Sequence, residues 1–271
     1  MAYLPQRIIC LTTETVEVLY ALGEQDRIVG ISGYTTRPAI ARKEKPKVSA
    51  FTSAKIDKIL ELKPDLVLGF SNLQADIAAS LIKAGVEVHV FNQRSVAEIL
   101  RMIATVGALV GKTDEASKLI AELELQIDMA RASGRHLPRK PKVYFEEWDA
   151  PMMCSIRWAA ELIEIAGGED CFPELSQFQS ARERTVTPEQ VLARMPDIII
   201  GSWCGKKFQP EQVTARAGWS AMPAVKNDFV VEIKSADILQ PGPSVITHGL
   251  MQLQTIFEQW AAFENKANNL G

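Results

Sequence analysis

The sequence predicts an α/β protein of two similar lobes, each a mainly parallel sheet flanked by helices, with a ligand cleft between them. Three observations support this fold class. The segment KIDKILELKPDLVLGF at residues 55–70 returns as TPEQVLARMPDIIIGS at residues 187–202, with a constant offset and no gap. Strand and helix patterns alternate before and after each copy. A long amphipathic segment lies between the two copies and predicts a bridging helix.

Each copy of the repeat has the same physical interpretation. A short helical pattern stops before a proline, which cannot continue a helix comfortably. The aliphatic runs Leu66–Leu68 and Ile198–Ile200 follow, without polar alternation, as in a parallel strand buried on both faces. A helix followed by Pro-Asp and a strand is common in α/β proteins. The repeat alone therefore does not distinguish two related lobes from a coincidental match.

Residues 1–94 are predicted to form the first lobe. Gly23 and Gly85 end its first and last helical patterns, as glycine often does. Strands are expected at residues 7–10, 27–31, 46–48, 66–70 and 86–91, and helices at residues 12–22, 56–63 and 75–84. This β/α alternation favours a mainly parallel sheet.

Residues 95–138 are predicted to be a helical connection. Leu119, Leu123 and Ile127 recur every four residues after the cap Thr113, with Ala116 and Met129 expected near the same face. A helix over residues 113–133 would reach roughly 30 Å and could bridge the lobes. An ordinary surface helix is the alternative.

Residues 139–271 are predicted to form the second lobe. Strands are expected at residues 142–147, 198–202 and 229–233, and helices at residues 158–166, 187–195 and 243–265. The helix start at Thr187 is the best marked, with Pro188 at its first position and Gln190 completing a capping box.

Composition narrows the class of function. Hydrophobic residues make up 47 % and charged residues 23 % of the 271 residues, and the net charge of −3 gives no reason to expect nucleic acid as a partner. The start MAYLPQRIIC does not resemble a signal peptide, so we expect a periplasmic protein if a leader was removed and a cytoplasmic one if the sequence is complete. A monomer is expected.

Candidate ligand-binding residues follow the strands, because ligands of open α/β sheets sit beyond the carboxyl ends of the strands. Large aromatic side chains recur at these positions in both lobes, where an uncovered apolar surface is costly. An alternative is that some of them simply pack under loops. The candidates are Tyr34, Phe51 and Phe70 in the first lobe and Glu147, Trp148, Trp203, Cys204 and Gln240 in the second.

Other motifs give weaker signals. The sequence lacks GxGxxG, P-loop and GxSxG patterns, so nucleotide binding and this type of hydrolysis are not indicated. The three scattered histidines predict no metal site, although Cys154 and Cys204 could form a thiolate site if they meet. Of the adjacent acids Glu146 and Glu147, at most one should face the cleft, since neighbours in a strand point oppositely. We therefore expect neither catalysis nor a cofactor.

Taken together, these segments resemble the periplasmic binding proteins of ABC importers whose lobes are joined by a long helix. RIICLTTETVEVLYALGEQDRIVGISGY is similar to that family's first βαβ unit, AGG at residues 166–168 to a recognisable segment, and QPGP at residues 240–243 to the stretch before its last helix. The resemblance covers nearly the whole chain and is strongest to the cobalamin-binding members. It implies a small-molecule ligand and a permease dimer as partners.

The resemblance also implies roles for individual residues. Tyr34, Phe51 and Phe70 match the aromatic residues that line the corrinoid pocket, and Asp57 and Glu189 match the acids that dock onto permease arginines. Acids near a helix start also favour the helix dipole, which is the simpler explanation of either one.

Two alternatives to a corrinoid-binding importer component remain open at this stage. Lys206, Lys207, Arg182 and Arg184 add positive charge near the expected cleft, and Gln240 stands where a basic residue might be expected. A ferric siderophore or haem is therefore an alternative to a corrinoid, and a cytoplasmic corrinoid-binding protein without a transporter is another.

Overall fold

A computed structural model describes residues 3–268 of the chain. These residues form two compact units. The first unit comprises the chain up to Gln93, together with Ala97–Glu122 and Pro241–Pro243. The second comprises Arg94–Val96, Leu123–Gln240 and the chain from Ser244 onward.

The first unit is built on a five-stranded sheet in which every pair of neighbours is parallel. Its strands are β1 (Ile8–Cys10), β2 (Ile28–Ser32), β3 (Lys47–Ser49), β4 (Leu66–Phe70) and β5 (Val88–Phe91), in the order β3-β2-β1-β4-β5. Its helices are α1 (Thr13–Ala21), α2 (Ala41–Glu44), α3 (Ile56–Glu61), α4 (Ala75–Lys83) and most of α5 (Val96–Val110). The central strands β1 and β4 are buried throughout, as their uninterrupted aliphatic sequences predict.

Helix α6 spans Thr113–Gly134, and its residues are divided between the two units, since the boundary falls between Glu122 and Leu123. Leu123 and Ile127 are buried, as the four-residue spacing predicts. The expectation for Met129 is wrong, because its side chain is 62 % exposed. Met129 lies two residues beyond Ile127, about 200° around the helix, whereas the buried position is Ala130.

The second unit is built on a four-stranded parallel sheet and a short antiparallel hairpin. Its strands are β6 (Lys142–Glu146), β7 (Trp148–Asp149), β8 (Met152–Met153), β9 (Glu169–Asp170), β10 (Ile198–Gly201) and β11 (Val230–Glu232). Its helices are α7 (Arg157–Ile165), α8 (Pro173–Ser176), α9 (Pro188–Arg194), α10 (Pro210–Thr214), α11 (Pro223–Lys226), α12 (Ser235–Ile238) and α13 (Met251–Asn268), the last preceded by a π-helical turn at Val245–Leu250. The sheet order is β11-β10-β6-β9, and β7 pairs with β8.

The two units share one topology, as the internal repeat predicts. In each, the strand of the repeat lies between the unit's first strand and its last: β4 between β1 and β5, and β10 between β6 and β11. On its other side, the first strand of each unit pairs with one more strand: β1 with β2, and β6 with β9. Among the residues the structure describes, the second sheet lacks an equivalent of β3, and the second unit adds the β7-β8 hairpin.

The Pro-Asp step of the repeat has the same structural role twice. The residue before each proline, Lys63 or Met195, adopts the left-handed conformation that ends a helix. The aspartate after it binds backbone amides at the start of the neighbouring strand. Asp65 accepts hydrogen bonds from the amides of Gln6 and Arg7, and Asp197 accepts one from the amide of Lys142. The repeat is therefore a helix-to-strand turn fixed by a carboxylate.

The repeated glycine of each strand is explained by close packing. A Cβ atom on Gly69 would lie 3.0 Å from Oε1 of Gln74, and one on Gly201 would overlap the ring of Phe208. Each unit therefore places a different side chain directly against the end of its repeat strand. Within residues 3–268, no helix has both the length and the apolar character needed to cross a membrane.

Candidate functional site

Three aromatic residues lie at the carboxyl ends of strands of the first unit, and the structure places them in different environments. Tyr34 follows β2, Phe51 follows β3 and Phe70 ends β4. Tyr34 is 61 % exposed, Phe51 is half-buried and Phe70 is 5 % exposed. The rings of Phe51 and Phe70 lie 6.5 Å apart between centroids, at an angle of 43°. This spacing is typical of a tilted aromatic pair, in which the buried Phe70 ring packs against the Phe51 ring.

The turn that carries Tyr34 is held by its backbone. The hydroxyl of Thr13 donates to the Tyr34 carbonyl at 3.2 Å, and the Arg42 guanidinium donates to the carbonyls of Gly33 and Thr35 on either side. The main chain is therefore fixed while the ring faces solvent. An exposed aromatic ring on an ordered turn is suited to stacking against a ligand.

In the second unit, Trp148 and Trp203 are brought together by a lysine. The ammonium nitrogen of Lys206 lies 4.5 Å from the Trp148 ring centroid and 4.7 Å from that of Trp203. Asp149 holds the same nitrogen at 2.5 Å. The cation is thus attracted by two indole rings and one carboxylate. Trp148 is half-buried, whereas Trp203 is 3 % exposed and belongs to the hydrophobic core of this unit.

Glu146, the last residue of β6, and Glu147, which follows it, have separate partners, as alternation along an extended chain predicts. Glu146 is completely buried and accepts four hydrogen bonds. Two come from Arg216 at 2.5 and 2.9 Å, one from the Tyr144 hydroxyl at 3.0 Å and one from the Trp203 indole at 3.0 Å. This carboxylate is satisfied within the protein and holds Trp203 in place.

Glu147 is paired with Arg184, whose guanidinium lies 2.5 Å from its carboxylate and also donates to the carbonyl of Cys154. Arg184 is buried, so the expectation that it adds positive charge near the cleft is wrong: the Glu147 carboxylate neutralises it. The exposed cations at this end of the sheet include Lys206 and Lys207.

The remaining candidates are partly accessible. Cys204 is exposed, its amide donates to the Glu147 carbonyl at 3.4 Å, and Gln240 is half-buried. All four cysteines are free thiols. Burial raises the pKa of Cys154 to about 12, so its sulfur stays protonated and is a poor metal ligand. Among the residues described, no group of three or more histidine, cysteine and acidic side chains is arranged to hold a metal ion.

Two other carboxylates are buried and titrate near neutral pH. Burial raises the pKa of Glu14 to about 7, although the Thr12 hydroxyl donates to it at 2.7 Å. Burial likewise raises the pKa of Asp170 to about 6, against a hydrogen bond from the Ser155 hydroxyl at 2.7 Å. In both cases loss of hydration outweighs the hydrogen bond.

The two acids predicted to dock on a permease occupy equivalent places. Asp57 and Glu189 are each the second residue of the repeated helix, α3 or α9, and both are exposed. The pKa of Glu189 is lowered by its own backbone amide and by the Thr187 hydroxyl. The capping box predicted at Thr187 is confirmed, with bonds of 2.8 and 3.3 Å between Thr187 and Gln190.

Sequence reasoning missed two residues that organise these sites. Gln74 contacts the candidates Phe51 and Phe70, and Arg216 contacts Glu146, yet neither belongs to a motif. Arg216 lies 70 residues beyond its partner Glu146, so no local pattern could join them. The repeated Gly69 was a usable signal for Gln74, because it marks a strand end that another group approaches closely.

Each of the two parallel α/β units carries aromatic side chains near the carboxyl ends of its strands, including Tyr34 and Phe51 in the first and Trp148 in the second. A family model described as periplasmic binding protein matches residues 8–236, and the chain belongs to this family.

Known relatives share most of the chain. It is 24 % identical over 268 residues to a vitamin B12-binding protein of Vibrio vulnificus, covering 96 % of this chain and 92 % of that one. The solved periplasmic haem-binding protein RhuT of Roseiflexus has a TM-score of 0.82 and 22 % identity, over 94 % of this chain and 99 % of that one. The solved vitamin B12-binding protein BtuF of Vibrio cholerae has a TM-score of 0.74 and 21 % identity, over 94 % of this chain and 98 % of that one. These structural likenesses confirm the predicted fold.

Proposed function

We propose that this protein is the substrate-binding component of an ABC importer, and that it captures a cobalamin-like corrinoid and delivers it to a permease. The observation that carries the proposal is the pair of aromatic surfaces at strand ends, Tyr34 and Phe51 in one unit and Trp148 in the other. Accessible aromatic rings, Tyr34 exposed and Phe51 and Trp148 half-buried, suit the broad, partly apolar edge of a corrin ring. The vitamin B12-binding relatives support the same ligand class.

The aromatic contribution is tested by truncating one ring. Phe51→Ala should weaken cyanocobalamin binding by roughly 1–3 kcal/mol, the loss expected when a buried aromatic contact is removed. Quenching of tryptophan fluorescence measures the affinity. Phe178→Ala removes another partly exposed phenylalanine, in the second unit, and should leave affinity unchanged. Equal affinities for Phe51→Ala and the parent would show that the binding surface is misplaced.

Haem is a second candidate, and one observation favours it. The Lys206 ammonium lies over the rings of Trp148 and Trp203 and is partly exposed, so it could meet a ligand carboxylate. Haem carries carboxylates, and solved relatives include haem-binding proteins. Parallel titrations with haemin and cyanocobalamin decide between the two ligands.

Delivery would use Asp57 and Glu189. Their equivalence in the repeat gives one exposed carboxylate to each unit, which suits a permease with two-fold symmetry. Asp57→Lys and Glu189→Lys should each leave ligand affinity unchanged and reduce binding to the permease in detergent, and the double reversal should reduce it further.

Asp76→Lys is the matched control for delivery. Asp76 is also exposed and is also the second residue of a helix, α4, but it lies outside the repeat. All three acids therefore interact favourably with the dipole of their own helix. If Asp76→Lys reduces permease binding as much as Asp57→Lys does, the docking role is wrong and the dipole explanation holds.

A further inference from the structure

Gln74 connects three loops at the carboxyl edge of the first unit's sheet. Its side chain is completely buried where the turn after β4 enters α4. Oε1 accepts a hydrogen bond from the amide of Phe70 at 2.9 Å, and Nε2 donates to the carbonyl of Phe51 at 2.8 Å. A longer contact of 3.5 Å reaches the carbonyl of Leu11 after β1. One amide group thus joins the backbones of both phenylalanines of the tilted pair.

The turn that begins at Phe70 is strained. Ser71 has φ of 63° and ψ of 168°, a region that residues other than glycine rarely occupy. Its amide donates to the Phe91 carbonyl at 2.7 Å, and its hydroxyl accepts from the amide of Leu73 at 3.3 Å. Such a conformation persists only where its surroundings enforce it, and it often marks a functional turn. Here the enforcing contacts include the carboxamide of Gln74 on the preceding residue.

We propose that Gln74 is a positioning residue for ligand binding: it fixes the Phe51 turn against the end of β4, so that the Phe51 ring is held ready for the ligand. This inference rests on the proposed function and adds a residue to it. The side chain must offer one acceptor and one donor at the same time, because Phe70 presents an N–H and Phe51 presents a C=O. A glutamate would keep the acceptor and lose the donor, and a methionine of similar length would lose both.

The first test uses cyanocobalamin and the variants Gln74→Met and Gln74→Glu. Both should bind more weakly, by about ten-fold, which is the lower end of the loss caused by removing supporting hydrogen bonds at metal sites. Leu81→Ala is the structural control, since Leu81 is fully buried in the core of the same unit, on the helix α4 that follows Gln74. It should lower stability and leave affinity unchanged. Equal losses of affinity in Gln74→Met and Leu81→Ala would overturn the proposal.

A second comparison asks whether Gln74 acts through Phe51. In a Phe51→Ala background the Gln74→Met change should have little further effect, because the ring that it positions is gone. Fully additive losses would overturn the proposal.

A ligand-free measurement separates this inference from the proposed function. Hydrogen exchange at the Phe70 amide should accelerate in Gln74→Met, and unchanged protection would refute the positioning role. If the parent protein binds neither cyanocobalamin nor haemin, the proposed function fails, and the exchange result alone decides the role of Gln74.

Discussion

Removal of Arg216 tests how the second unit holds its indole pair. The guanidinium supplies two of the four hydrogen bonds to Glu146, which has no exposed surface. Arg216→Ala therefore leaves a buried carboxylate with only two neutral donors, Tyr144 and Trp203. A hydrogen bond to a charged group contributes about 1.5–3 kcal/mol, and breaking a buried ion pair costs about 3–5 kcal/mol. We expect a loss of stability in the latter range.

The reverse change should be milder. Glu146→Gln leaves the Arg216 side chain, which is 16 % exposed and stacks 4.6 Å from the Trp219 ring centroid, able to meet water. We expect this variant to lose about 1–3 kcal/mol. Urea unfolding followed by circular dichroism measures both variants, and tryptophan fluorescence reports the surroundings of Trp203. If Arg216→Ala costs less than 1 kcal/mol, or less than Glu146→Gln, the carboxylate does not depend on this cation and the reasoning is wrong.

Two further predictions concern ionisable groups of the second unit. The folded pKa of Asp170 is about 6, raised from 3.8 by burial, so the folded state binds the extra proton. This group therefore lowers the free energy of unfolding as pH rises from about 4 to about 6, by up to about 1.4 kcal/mol per pH unit. Asp170→Asn should flatten that slope in urea titrations, whereas its exposed neighbour Glu169→Gln should retain it; identical slopes would contradict the assignment. Lys206→Ala should expose the Trp148 ring to acrylamide quenching and weaken haemin binding by roughly 1 kcal/mol with little effect on cyanocobalamin. The adjacent Lys207→Ala should do neither, and equal effects of the two lysines would indicate a general charge effect.

The sequence predicted the features that depend on residues close together along the chain. The repeat was visible because each turn needs a helix stop, a proline, an aspartate and a buried aliphatic strand in one order. The capping box at Thr187 was visible because all its groups lie within four residues. The shared sheet topology then followed from the repeat itself.

The parts that sequence reasoning missed depend on contacts between distant segments. The hairpin of β7 and β8 has strands of only two residues each, too short for alternation to be recognised. The arginine partners of Glu146 and Glu147 come from residues far along the chain. The sequence did not determine whether Trp203 is buried, because a tryptophan after a strand can line a ligand surface or pack in the core.

Calorimetric titration of the purified protein with cyanocobalamin tests the central claim most directly. The account predicts saturable binding of one corrinoid per chain, with a negative heat-capacity change as apolar ring surface is buried, and lower affinity in Phe51→Ala. Absence of heat and of fluorescence quenching with cyanocobalamin, together with saturable binding of haemin, would contradict the corrinoid assignment and identify haem as the ligand class.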